Sequence, residues 1–279
     1  MKPLSKSNFV KGLACPTFLW CIYNAPEKIP EIDEETQARF DQGHEVGDLA
    51  KAMYPDGVEV PYAKDSWKLT KELVAKRKTI FEATFYHKNT VCKADVLVPV
   101  HKDEWDLIEV KGTSHTKPEH IIDVAFQKYV LEGAGIKIRK CHLMHINNEY
   151  VKKGEIVPKD FFICEDVTEE VLKINSIEDS VGKMLKIISG KMPSAVLGID
   201  CVKPVDCPIH SPGLPEITEL YCLGAKAYPL ICNGITKIKN IPLDCVMFTS
   251  ETILSIELFI LEGIRLRYKN FYLLSNIIY

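Results

Sequence analysis

The chain has 279 residues, 46% of them apolar, and a formal net charge of −3. That length suits one large domain or a domain with an appendage, and the apolar content is ample for a packed core, which excludes a disordered chain. The charge gives no overall pull on nucleic acid, so any such contact must come from local basic patches such as residues 71–78 and 137–140; the bland reading of such runs is a solvated face.

Ten cysteines are scattered through apparent strands and do not form the dense framework of a short secreted chain. Thiols or metal ligands are therefore expected in place of disulfides. Lys2 and Lys6 ahead of an apolar patch are only superficially like a signal peptide, because Lys11 and Pro16 interrupt it; the expected location is the cytoplasm.

Residues 5–23 open with a cap-like Ser5-x-Ser7-Asn8 cluster and a short helical pattern containing Phe9, Leu13 and Cys15. Pro26 and Pro30 mark a loop before a helix expected over 34–53, whose apolar stripe is Val46, Leu49, Ala50 and Met53. Gly43 and Gly47, four apart, would allow close backbone approach to a neighbour. Asp65 or Ser66 caps a further helix to residue 78, burying Leu69 and Leu73.

Residues 80–86 alternate as a strand, with Phe81, Ala83 and Phe85 on one face and Glu82, Thr84 and Tyr86 on the other. Residues 87–90 supply a turn. In the β-branched stretch 91–98, the pleat places Val91, Lys93, Asp95 and Leu97 on one side, and Cys92, Ala94, Val96 and Val98 opposite. A third strand, 105–111, projects Trp105, Leu107, Glu109 and Lys111 the same way. Pro118 then starts a helix that buries Ile122, Ala125, Phe126, Tyr129 and Val130, with Gln127, Asp123 and His120 on its other side.

Gly133 and Gly135 form the exit to a strand at 136–146, expected to run parallel to a core strand. Its His142 and His145 read as structural. Residues 161–163 suggest a short strand, and 168–189 one helix with Ile177, Val181, Met184, Leu185 and Ile188 facing inward. At Met192 the composition shifts towards Pro and Cys, dividing a core of 1–191 from a Cys-containing C-terminal subdomain, 192–279. Within the latter, 253–264 is apolar but too short to span a bilayer cleanly, so no membrane contact is expected. Residues 271–279 form an apolar tail needing a partner surface.

The chemistry follows from strand parity. If the second and third strands are neighbours, Asp95 and Glu109 converge on one hard cation, which wants oxygen ligands and retains waters, and Lys111 sits beside it. Such a site supplies a nucleophile of lowered pKa, a Lewis acid and positive charge where negative charge develops, as phosphodiester hydrolysis requires. An Asp followed by Glu-x-Lys is common by chance. The polar face of the following helix, able to look back at the strand ends, strengthens it.

Asp95, then Glu109-Val110-Lys111, then a helix bearing Gln127 near a Tyr, resembles the PD-(D/E)XK nuclease superfamily in its RecB-like branch. The likeness is to bacterial RecB-like nuclease domains related to the iron-sulfur nucleases of CRISPR adaptation, over most of residues 1–245. The opening SKSNFVKGLACPTFLW, the GHEVGDLAKAMYPDGVEV stretch, LMHINNEYV and a late Cys-Pro segment also match. The resemblance implies a restriction-endonuclease-like α/β fold, a central mixed sheet of about five strands flanked by helices.

It further implies that Asp95 and Glu109 hold Mg²⁺ or Mn²⁺, that the Val110 backbone carbonyl completes the site, and that Lys111 orients the attacking water. Gln127 would help position substrate or Lys111. Glu82 is a further acidic ligand candidate, through water. The implied activity is metal-dependent hydrolysis of DNA, as an exonuclease on single strands or duplex ends. The family's metal-binding His falls at position 47, where this chain has Gly47; His44 is the nearby candidate. Leu131 occupies the family's Tyr position, and Tyr129 reads as core.

The resemblance also implies a [4Fe-4S] cluster made by one early and three late cysteines. Cys15, Cys201 and Cys207 match, Gly213 stands near the third late position, and Cys21 or Cys222 could supply the fourth ligand. Zinc held by Cys201, Cys207, His210 and Cys222 is the alternative, and buried unligated thiols the bland case. The rival to an enzyme is a catalytically degenerate nucleic-acid-binding module that keeps the nuclease fold.

Overall fold

In the computed structural model the described residues are 2–29, 31, 32, 34–193, 216–220, 223 and 227–242. They belong to two units, Met1–Asn24 with Glu31–Lys191, and Ala25–Pro30 with Met192–Tyr279. The candidate nuclease residues all lie in the first.

That unit is built on seven strands. They are β1 (Leu4–Ser5), β2 (Val58–Glu59), β3 (Ile80–His87), β4 (Thr90–Pro99), β5 (Glu104–Lys111), β6 (Lys137–Ile146) and β7 (Phe162–Asp166). The sheet runs β2-β3-β4-β5-β6-β7, and β1 pairs with β4 off that path. β3 and β4 form an antiparallel hairpin whose turn is closed by Lys88 in the left-handed region, φ 50°. β5 and β6 are parallel, which demands a crossover, and helix α5 (Pro118–Gly133) supplies it.

One face of the sheet buries Ala94, Leu107 and Leu143 against α1 (Lys6–Ala14), α2 (Pro16–Asn24), α4 (Ser66–Ala75), α5 and α8 (Ile177–Ser189). Phe9 of α1 stacks on Phe126 of α5 with ring centroids 4.6 Å apart. The opposite face buries Phe81, Val96, Ile108 and Met144 beneath Val46 and Ala50 of α3 (Glu34–Lys51). The expected mixed sheet flanked by helices is thus present.

Several expectations need correction. The sheet has seven strands where about five were expected; β1 and β2 are two residues each, too short to carry an alternation. A Cβ added at Gly43 or Gly47 would meet nothing within 4 Å, so neither serves close packing. The tightest approaches among the described glycines are at Gly57 and Gly133, where a Cβ would come within 2.3 Å of the Phe81 ring and 2.2 Å of the His87 ring. Tyr129 and Ile122, expected to be buried, are only partly so.

Asp65 stands at the N-cap of α4 as expected, though its side chain makes no capping hydrogen bond, and the helix stops at Ala75. The Ser66 hydroxyl accepts from the Ala63 N–H (2.9 Å) and donates to the Pro61 carbonyl (2.7 Å), fixing the preceding turn. The single helix expected over 168–189 is two, α7 (Thr168–Leu172) and α8, parted at residues 173–176. Asn175 and Ser176 fall in that break, residues whose side chains compete with helical main-chain bonds.

Strand parity also breaks at one point. Phe81 faces the α3 side while Ala83 and Phe85 face the other, and Val96 is likewise opposed to Ala94. The two strands exchange faces at Glu82, φ 56°, and at Asp95 across from it. A left-handed non-glycine residue inside a strand costs energy and is found most often beside functional sites.

In the second unit, α9 (Ala227–Cys232) contributes to a small apolar cluster of Ile217, Leu220, Leu223, Ala227, Leu230, Ile238 and Ile241. Cys201, Cys207, His210, Gly213, Cys222 and the tail over 248–279 lie outside the described residues. No described helix is long and apolar enough to cross a membrane.

Phe126 is fully buried and joins α1 to α5. We expect Phe126→Ala to cost about 3–5 kcal/mol through lost burial and the cavity left behind. An unchanged midpoint in urea denaturation would contradict this packing.

Candidate active site

The site arises from how the edge of β4 is shared. Thr90 and Val91 pair with β3 on one edge and with Leu4 and Ser5 of β1 on the other, whereas Val96–Pro99 pair with β5. Since β3 occupies one edge throughout, β1 and β5 divide the other, and a gap opens between them at residues 92–95. Asp95 lies at its β5 end. Its Oδ2 accepts the Val110 N–H at 2.9 Å, a carboxylate standing in for a main-chain partner where the strands part. The N–H and C=O of a strand residue share an edge, so the Val110 carbonyl also faces the gap.

On leaving β1 the chain turns directly into α1. Ser5 caps that helix, its hydroxyl accepting from the Asn8 N–H at 3.3 Å, which makes Lys6 the first helical residue. Lys6 thereby reaches the gap, its Nζ lying 2.8 and 2.9 Å from the two oxygens of Glu109 and 3.5 Å from Asp95 Oδ1.

Glu109 is 1% exposed and accepts from three side chains. Besides Lys6, Lys111 Nζ donates to it at 2.7 Å and Gln127 Nε2 at 2.7 Å. Lys111 also donates to Asp123 at 2.6 Å. Helix α5 therefore turns Asp123 and Gln127, one turn apart, back onto the strand ends. His120, on the same face, accepts from the Lys117 N–H at 3.3 Å and closes the helix start.

The protonation states follow. Burial alone would raise Glu109, but Lys6 and Lys111 outweigh it and hold the carboxyl well below the usual range. Burial, then the charge of Glu109, pushes Asp95 up to about 7. The same two causes push Asp123 up to about 6. Lys111 is held above its ordinary value because Glu109 and Asp123 overcome the burial that lowers it. Lys6 is raised likewise, chiefly by Asp95 and Glu109 against burial. Both lysines are ammonium ions at neutral pH.

This set fits a divalent cation. Among the described residues no three His, Cys, Asp or Glu side chains gather into a ligand cluster. The gap instead offers two carboxylates and one carbonyl, all oxygen, a donor set suited to a hard ion that keeps several waters. The Lys6 ammonium already bridges the two carboxylates as a cation would. Charge supports the exchange: with Lys6 withdrawn, a divalent ion and Lys111 together balance Asp95, Glu109 and Asp123. Asp123 Oδ1 and Gln127 Oε1 are buried with no hydrogen-bond partner among the described residues, two acceptors that a buried water would satisfy.

The gap opens into a cavity of about 400 Å³ lined by Asp95, Val110, Glu82, Lys93, His44 and Gly47, among others. Glu82 is engaged with Lys93 at 2.9 Å. His44 is exposed on α3, and the space beside Gly47 is open. Cys15, half-buried, accepts from the Phe18 N–H at 3.3 Å at the start of α2. Cys21 is buried in α2. Asp123, four residues before Gln127, is on the expected polar face, and the structure adds its pairing with Lys111. Lys6 carries no sequence signal, because its place depends on the β1–β4 pairing, which two residues do not announce.

No family model matches the chain. The chain is 37% identical over 75 residues to UU173, an uncharacterized protein of Ureaplasma parvum serovar 3, a match that spans 26% of this chain and 11% of that protein. Among solved structures it is similar to an alkaline exonuclease, LHK-Exo of Laribacter hongkongensis, at 14% identity and a TM-score of 0.42, over 68% of this chain and 90% of that one. The same exonuclease in complex with dAMP gives a TM-score of 0.41 at the same identity and coverage.

Two measurements check the electrostatics. Lys6→Met should lower the melting temperature in EDTA, and added Mn²⁺ should then raise it more than in the parent, because the ion no longer competes with an ammonium. An equal or smaller Mn²⁺ shift in the variant would refute the shared position. Protons compete for Asp95, so Mn²⁺ affinity by calorimetry should climb as pH rises through about 7 and then level off. Without metal the sign reverses: the fold favours protonated Asp95, and that contribution to stability is lost as pH rises through about 7.

Proposed function

We propose that the chain is a metal-dependent nuclease of the PD-(D/E)XK superfamily, RecB-like branch, hydrolysing DNA phosphodiester bonds as an exonuclease on single strands or duplex ends. The observation that carries this reading is the convergence of Asp95, Glu109 and the Val110 carbonyl at one gap, with Lys111 and Gln127 fixed on the same carboxylate. A Mg²⁺ or Mn²⁺ ion held by Asp95, Glu109 and Val110 would polarise a phosphoryl oxygen and lower the pKa of bound water.

The chain's own residues do the rest. Lys111, pinned between Glu109 and Asp123 and held above its ordinary pKa, keeps its proton. It therefore acts as a charged donor that orients water and steadies charge developing on phosphate, and not as a general base. Gln127 fixes the orientation of Glu109. Glu82, on the same cavity but paired with Lys93, would act only through water.

Asp95→Asn keeps an oxygen for the Val110 N–H and removes the charge. With Mg²⁺ or Mn²⁺ present, we expect it to lower cleavage of labelled single-stranded and blunt duplex DNA by at least about 100-fold, and Lys111→Gln by about 100- to 1,000-fold. Circular dichroism would confirm that each variant is folded. Parent and variants cleaving at equal rates would overturn the assignment; a folded, metal-bound parent that binds but never cleaves DNA would favour the degenerate binding module.

A further inference from the structure

Next to the cavity at the carboxylates, the first unit carries two larger ones. One, of about 780 Å³, is lined by Trp67, Lys71, Lys64, Thr84 and Tyr86, among others. The other, of about 750 Å³, is lined by Lys64, Tyr86, Lys2, Tyr62, Lys93 and Asp95, among others. They share Lys64, Thr84 and Tyr86, and the second shares Tyr62, Glu82, Lys93 and Asp95 with the cavity at the metal site. The shared side chains place the three cavities side by side, leading from Trp67 past Tyr86 and Tyr62 to Asp95; the three together are termed the groove.

Its lining is unusual for this surface. Of the four exposed aromatic side chains among the described residues, Tyr62 (92%), Tyr86 (47%), Trp67 (43%) and Phe40 (50%), only Phe40 is off the groove. Exposed rings gathered along one groove, unlike rings scattered singly, mark an interaction surface. Five lysines, Lys2, Lys6, Lys64, Lys71 and Lys93, line the two larger cavities against two acids, Glu82 and Asp95. The cavity at the carboxylates adds Lys51, Asp48 and Glu59, with Lys51 paired to both acids. Lys2, Lys64 and Lys71 form no ion pair among the described residues, unlike Lys68 and Lys76 nearby. In a chain of net charge −3, this is a local concentration of uncommitted positive charge. Lys93 Nζ lies 5.2 Å from the centre of the Tyr62 ring and steadies it from one side.

Aromatic faces alternating with lysines along a channel match one ligand chemistry: unpaired bases stack on the rings while phosphates meet the ammonium groups. A duplex hides its base faces and cannot stack. We propose that this groove is a single-stranded DNA track, with Trp67, Tyr86 and Tyr62 as successive stacking platforms that deliver a strand to the Asp95–Glu109 centre. The proposal rests on the nuclease reading for its direction and assigns residues which that reading leaves without a role.

Fluorescence anisotropy of the full chain in EDTA, where no hydrolysis occurs, tests it with a dye-labelled oligothymidylate and a blunt duplex of equal length. The single strand should bind more tightly. Tyr62→Ala and Trp67→Ala should each weaken it about tenfold or more. Phe40→Ala should leave it unchanged. Lys64→Gln with Lys71→Gln should flatten the salt dependence. Duplex binding of equal strength, or single-strand binding indifferent to both aromatic variants, would overturn the track. The two readings fail separately: a chain that never cleaves DNA but loses strand binding in Tyr62→Ala keeps the track, and one that cleaves with binding indifferent to these rings loses it.

Discussion

A carboxylate with almost no access to water must be neutralised from within, and Glu109 is that group. Leaving such a charge unpaired would cost about 3–5 kcal/mol. Its partners come from three separate segments: Lys6 from the start of α1, Lys111 from the end of β5 and Gln127 from the middle of α5. Meeting the demands of one ion therefore ties the N-terminal helix, the central strand and the crossover helix together. Phe9 stacked on Phe126 makes the apolar version of the same connection one layer away.

The second constraint is topological. β4 cannot pair with β1 and β5 at the same place, so its outer edge is divided and a gap remains. In a sheet such a gap normally exposes main-chain donors without partners. Here Asp95 takes the Val110 N–H, and the face exchange at Glu82 and Asp95 turns acidic side chains away from the packed layers. The result is a polar opening in an apolar sheet, with α3 above one face and α5 beneath the other. A hard cation fits there for the reason a lysine does: the opening is rich in oxygen and carries excess negative charge.

Much of this was legible in the sequence. The alternation from Ile80 to Lys111 located three strands closely, Glu109 and Lys111 projected together as the pleat required, and helical periodicity placed Gln127 and Asp123 on one face. What escaped had too little local signal. Two-residue strands have no period, so Lys6 could not be placed. Pleat parity alone groups Phe81 with Ala83 and Val96 with Ala94; the face exchange that separates them depends on a left-handed Glu82, which no residue type demands. Gly43 and Gly47 suggested close packing, yet they line an open cavity. A cavity lining is assembled from distant segments, so Tyr62, Trp67 and Tyr86 carried no functional signal until folded.

We propose that the Lys6 ammonium and a divalent cation use the same position between Asp95 and Glu109. Anomalous diffraction from crystals soaked in Mn²⁺ tests it directly. The expected map has a manganese peak bound by both carboxylates and the Val110 carbonyl, with the Lys6 side chain withdrawn. A map in which Lys6 still bridges the two carboxylates, with manganese absent or bound elsewhere, would exclude that shared position.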